Sequence, residues 1–241
     1  MAGDPDLATT EAALRALDAA GADVIELGVP YSDPLADGPT IQGAHTRGLD
    51  SKTTLSAVLA MVARVSPDLR AALVMFTYYN PILRRGAAAF CAEAAAAGVA
   101  AVLVPDIPLE ETHAVREDAA AAGLELVLLA TPTTPPARMA AIAAKSQGFV
   151  YLVSVAGVTG ARTNMEARVE GLISALRATT DKPIAVGFGV SGPEAAAQVM
   201  AWGADGVIVG SALVKALGEA ASPAEGLAAM ESLARSIRAA V

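Results

Sequence analysis

The 241-residue chain has one cysteine, two histidines, one tryptophan, 4% aromatic residues and 17% charged residues. A single cysteine, Cys91, excludes an internal disulfide framework and any cysteine-cluster metal site. The histidines, His45 and His113, stand far apart without ligand partners at useful spacing, so zinc or iron chemistry is not expected and no cofactor is called for. Basic residues number 17 against 25 acidic ones, giving a net charge of −8 with no Lys/Arg cluster, which argues against a nucleic-acid partner. No apolar run reaches the ~20 residues of a bilayer span. The stretch from Ala94 to Pro105, for example, is broken by Gly98 and by Pro105 itself, so no membrane association is expected. The opening Met-Ala-Gly-Asp-Pro-Asp has no basic start and no apolar core, unlike a secretory signal.

The chain is rich in alanine, with 57 residues, and alanine is the best helix former. Ala/Leu-rich stretches alternate throughout with short β-branched runs. Strands are expected at 23–29, 72–78, 101–106, 125–131, 149–154, 183–189 and 206–210. Helices are expected at 6–20, 53–65, 86–97, 109–122, 136–145, 166–178, 193–202 and 223–239, with a short one at 212–217. Gly21, Gly98, Gly123, Gly148 and Gly203 stand between a helix and the following strand, where a left-handed stop residue belongs. The repeat implies an α/β fold with a parallel sheet covered on both faces. Seven strands are legible and the chain opens on a helix, whereas a closed (β/α)₈ barrel needs eight strands. Nothing divides the chain by composition, and a single domain spanning 1–241 is expected.

In such folds chemistry sits at the carboxyl ends of the strands. The first strand carries Glu26 in an apolar run. Period-two alternation groups Val24, Glu26 and Gly28 on one face and Ile25, Leu27 and Val29 on the other. The bulkier face belongs against helices, which turns Glu26 inward. Burial there would raise its pKa towards neutrality, as suits a group that both takes and gives a proton. The alternative is a structural carboxylate paired with Arg or Lys, but no expected strand holds either at mid-strand. The loop after this strand, 30–39, contains Asp33 and Asp37 between prolines and a glycine. These carboxylates are either functional or only hydrogen-bonded to turn amides, and spacing alone leaves the two readings level. Later strands end in glycines instead: 156–160 (AGVTG), 187–191 (GFGVS) and Gly210-Ser211. Backbone amides at such loops and at a helix N-terminus suit a small phosphate ester. Tyr151 shares the inward face of its strand with Phe149 and Val153, a position more typical of packing than of binding.

The run 26–39 (ELGVPYSDPLADGP) closely resembles the signature of the tryptophan synthase α subunit family. So do 105–111 (PDIPLEE), 156–160 and 187–191, while 76–83 (FTYYNPIL) and 202–206 (WGADG) are most similar to plant and cyanobacterial members, which include stand-alone indole-3-glycerol phosphate lyases. The resemblance implies a (β/α)₈ TIM barrel that splits indole-3-glycerol phosphate into indole and glyceraldehyde 3-phosphate in tryptophan biosynthesis. It implies Glu26 as the acid/base group and Asp37 as acceptor of the indole N–H, stabilising the positive charge that develops there. Thr159 would orient Asp37 when the 157–168 loop closes, and Tyr151 would line the indole pocket. Gly160, Gly189, Gly210 and Ser211 match the phosphate site, with Phe188 among the substrate-binding positions.

The implied partner is a tryptophan synthase β subunit in an α2β2 complex, with Asp33 and 106–111 as interface candidates. Stand-alone action is the other possibility. The compartment implied is the cytoplasm for a bacterial member and the plastid stroma for a plant or algal one. Members carry a short helix and a first barrel strand ahead of Gly3-Asp4-Pro5-Asp6, and this sequence has neither. The expectation is therefore an N-terminally truncated barrel. The second hypothesis is a truncated non-catalytic partner that binds a β subunit. A sugar-phosphate isomerase fits the 26–37 segment poorly.

Overall fold

The computed structural model describes residues 1–153, 162–187 and 189–241, with only the backbone described at 162–168. The elements run α1 (Leu7–Ala19), β1 (Val24–Gly28), α2 (Pro39–Asp50), α3 (Leu55–Val65), β2 (Ala72–Phe76), α4 (Tyr79–Arg85), α5 (Ala87–Ala96), β3 (Ala101–Leu103), α6 (Thr112–Ala121) and β4 (Glu125–Ala130). They continue as α7 (Pro136–Lys145), β5 (Val150–Val153), α8 (Arg162–Arg177), β6 (Ile184–Gly187), α9 (Pro193–Ala201), β7 (Gly206–Val207), α10 (Ser211–Gly218) and α11 (Pro223–Arg238). Two compact units result, one of Met1–Leu126 with Leu213–Arg238, the other of Val127–Ala212 with Ala239–Val241.

In the first unit β1, β2 and β3 pair in parallel, with Glu26 opposite Val74 and Gly28 opposite Phe76. The alternation expected for β1 holds: Ile25, Leu27 and Val29 are buried, while Val24 is 44% exposed. Helix starts follow local chemistry. Asp6 has extended backbone and its carboxylate accepts the Thr9 N–H at 2.6 Å, capping α1, and Thr54 accepts from Ala57 to cap α3. All five expected stop glycines adopt positive φ, from 66° at Gly148 to 94° at Gly21 and Gly98. Leu14, Met61, Val62, Met75 and Phe90 fill the core of this unit.

Two helices of this unit, α2 and α4, have no counterpart in the apolar pattern. α2 holds Gly43 and Gly48, residues that weaken a helix, and its buried positions are Ala44, His45 and Gly48. The glycine at 48 is a packing requirement, because a Cβ there would lie 2.7 Å from the Ala2 carbonyl oxygen and 2.8 Å from Pro30 Cγ. The Ala2 N–H in turn donates to the Gly28 carbonyl at 2.8 Å. Asp4, 3% exposed, takes two bonds from the Arg47 guanidinium at 2.7 and 2.8 Å. These contacts seat α2 beside the end of β1.

In the second unit β4 to β7 follow in parallel, over Leu128, Val150, Leu152, Ile184 and Val186 on the strands and Ile173 and Leu176 on α8. The α7 carboxyl end is closed from outside its own sequence. Lys182 Nζ donates to the carbonyls of Ala143 (2.8 Å), Ala144 (2.9 Å) and Ser146 (2.6 Å). A cation here satisfies orphan carbonyls and opposes the helix dipole. Lys182→Met keeps the stem and loses the charge, with an expected cost of about 1–3 kcal/mol. Thermal or denaturant unfolding of the variant reads this, and an unchanged midpoint would contradict it.

Candidate active site

Glu26 sits mid-strand in β1, and its Oε1 is buried without a hydrogen-bond partner. No ion pair reaches it among the described residues, and burial alone pushes its carboxyl up to about 7. The structural alternative of a carboxylate paired with Arg or Lys therefore finds no support among the described residues. A carboxyl group at this value is held in both protonation states near neutral pH.

Asp37 lies in the loop that leads from β1 into α2. Its Oδ2 accepts the Tyr78 hydroxyl at 2.7 Å and lies 3.1 Å from His45 Nε2. Its carbonyl accepts the Gln42 side-chain amide at 2.8 Å. Among the described residues the Asp37 carboxylate is held by two side chains and not by turn amides. Tyr78, 2% exposed, also accepts the Ala36 N–H at 3.0 Å. Burial first, then the Asp37 carboxylate, holds its hydroxyl proton well above the usual tyrosine range, so it remains a donor to Asp37. The rings of Tyr31 and Tyr78 stack at 5.1 Å.

His45 and Tyr78 are site residues that the sequence pattern misses. His45 stands on a helix without a clear apolar stripe, and Tyr78 is the residue before α4. They join Asp37 from 8 and 41 positions away. The interface candidates behave differently from one another. Asp33 is exposed, as is Leu35 at 82%, whereas Asp106 Oδ1 accepts the Tyr79 N–H at 2.8 Å and so serves the start of α4.

The second unit holds the remaining described candidates. Tyr151 on β5 leans over β6: a Cβ on Gly187 would meet the Tyr151 hydroxyl at 2.6 Å and its ring at 2.9 Å. Glycine at 187 is what lets the ring lie there. Gly189 has φ +43° after β6. Gly210 and Ser211 follow β7, with α10 starting at Ser211, one residue before the expected helix, and a Cβ at Gly210 would meet open space. Thr159, Gly160 and Phe188 lie outside the described residues. Among the described residues, no group of three or more His, Cys, Asp or Glu is placed to hold a metal ion, and no helix is long and apolar enough to cross a membrane.

The family model of the tryptophan synthase alpha chain matches residues 1–241. The tryptophan synthase alpha chain of Picosynechococcus sp. is 60% identical over 240 residues, covering 100% of this chain and 90% of that protein. The Arabidopsis thaliana alpha chain is 53% identical, over 100% of this chain and 87% of that one. Among solved structures, the tryptophan synthase α2β2 complex of Pyrococcus furiosus aligns with a TM-score of 0.92 at 40% identity, over 99% of this chain and 95% of that one. The α subunit of Legionella pneumophila aligns at 0.90 and 36%, over 99% and 89%. The fold class is α/β, that of the TIM barrels of these neighbours, with seven strands among the described residues. This chain belongs to the tryptophan synthase alpha chain family.

Proposed function

We propose that Glu26 and Asp37 carry the chemistry of this lyase, the cleavage of indole-3-glycerol phosphate in tryptophan biosynthesis, as a carbon–carbon retro-aldol step. Glu26 takes the proton of the side-chain hydroxyl next to the scissile bond and delivers a proton to indole C3. The C3–carbon bond breaks, the hydroxyl carbon becomes the aldehyde of glyceraldehyde 3-phosphate, and indole leaves. Positive charge builds on the indole nitrogen when C3 is protonated, and the Asp37 carboxylate accepts the N–H and stabilises that charge. The observation that carries this reading is the buried, unpartnered Glu26 Oε1 on a group raised to about 7. A proton shuttle is most effective at such a value.

Tyr151 lines the indole pocket in this reading, with Phe188 beside the substrate, and Gly160, Gly189, Gly210 and Ser211 hold the phosphate through backbone amides and a helix start. The partner is a tryptophan synthase β subunit in an α2β2 assembly, and the soluble compartment is the cytoplasm or plastid stroma according to source.

The test is indole release from indole-3-glycerol phosphate by the chain alone and then with a cyanobacterial β subunit. Turnover alone, or turnover that appears with the β subunit, supports the lyase reading. Stimulation of the β subunit without any indole release would instead make the chain a non-catalytic partner.

A further inference from the structure

We infer that His45 is a positioning residue for Asp37, held in its Nε2–H tautomer by the backbone of Tyr31, and that it leaves Asp37 Oδ1 as the oxygen that meets the substrate. The inference rests on the reading of Asp37 given above and assigns the group that aims it.

His45 is 1% exposed on α2. Its Nδ1 receives the Tyr31 N–H at 3.0 Å. A backbone amide can only donate, so Nδ1 is bare and the proton of the neutral ring is on Nε2. Nε2 lies 3.1 Å from Asp37 Oδ2 and donates to it. Tyr78 donates to the same oxygen at 2.7 Å. Two donors therefore converge on Oδ2, one from α2 and one from the residue before α4, and fix the carboxylate plane. Oδ1 receives no hydrogen bond among the described residues, and the side chain is 12% exposed. The ring of Tyr78 meets that of His45 edge-on at 5.9 Å, so neither donor swings without moving the other.

A histidine that merely fills the core needs an acceptor for its one N–H and a donor for its bare nitrogen, and a carbonyl with a water would serve as well as any side chain. Here the order is directional: main-chain N–H to Nδ1, then Nε2–H to Asp37. That order makes the free oxygen an acceptor aimed by a rigid relay, the arrangement by which an outer partner orients a functional group.

Imidazole ¹⁵N NMR of the full chain reads the tautomer without reference to activity. The chain's other histidine, His113, is exposed beside Glu117 and is removed by His113→Gln for assignment. The remaining ring is expected to show a protonated Nε2 and a bare Nδ1. A proton on Nδ1 overturns the inference. In the kinetic arm, His45→Asn keeps an acceptor for the Tyr31 N–H but its amide nitrogen ends short of Asp37. His45→Gln carries its amide nitrogen out to the ε position. Loss of one hydrogen bond to a charged group predicts about a ten- to hundredfold fall in kcat for indole release in His45→Asn, with KM little changed. His45→Gln is expected to retain more of kcat. Two variants that fold and both match wild type in kcat overturn the inference. Wild-type turnover in Asp37→Asn would defeat the reading of Asp37 itself, and would leave the tautomer result standing.

Discussion

Glu26→Gln is expected to lower indole release by roughly 10²–10⁴-fold, the usual worth of a positioned acid/base group, and at the same time to stabilise the protein at alkaline pH. The two effects share one cause. In the unfolded chain this carboxyl titrates near 4.5, and in the fold it is raised to about 7 by burial. Below 4.5 both states are protonated and the group costs nothing. Between 4.5 and 7 the unfolded state releases its proton while the folded state keeps it. The unfolded state then binds fewer protons, so stability falls as pH rises. Above 7 the penalty is complete, at about 3 kcal/mol. Glutamine has the shape without the charge and removes the pH-dependent loss. Denaturant unfolding at pH 5 and pH 8 tests this. The variant's advantage over wild type is expected to be small at pH 5 and largest at pH 8. An advantage that does not grow with pH, or near-wild-type indole release, would remove Glu26 from its assigned role.

Asp37→Asn is expected to cost about 10²–10³-fold in kcat, although the substitution preserves size and shape. The reason is the pair of donors already at Oδ2, the Tyr78 hydroxyl and the His45 Nε2–H. An asparagine satisfies both only by turning its amide oxygen towards them. Its NH2 then takes the place of Oδ1 and faces the indole N–H donor to donor. The variant thus loses the charge that stabilises the developing cation, and it presents a group that repels the substrate's own proton. Both kcat and the affinity for the product indole are expected to fall. Tyr78→Phe releases one of the two donors and is expected to restore part of the activity when combined with Asp37→Asn, because the amide is then less firmly oriented. Equal kcat in Asp37→Asn and wild type would contradict the electrostatic role.

These two residues were legible for different reasons. Glu26 stood out because a carboxylate in an apolar alternating strand must end on one face or the other, and the larger side chains of Ile25, Leu27 and Val29 claimed the helix side. By spacing Asp37 was one of two aspartates in a punctuated loop, and only the family resemblance singled it out. What separated it from Asp33 is the convergence of Tyr78 and His45, which come from after β2 and from α2. α2 itself was hidden because it lacks an apolar stripe and its Gly48 serves a close approach to Ala2 and Pro30.

By itself the sequence determined the βα order, the glycine stops and the inward face of β1. Each of these depends on a residue's own backbone freedom or on the two-residue period of a strand, both of which are local. The family signature at 26–39 is local in the same sense. Only the tertiary structure decided which donors reach Asp37, which oxygen is left free and why Gly187 must lack a side chain under Tyr151. Those are contacts between elements distant in the chain. They are set by how helices and strands pack, and packing distances are not written in any single stretch of residues.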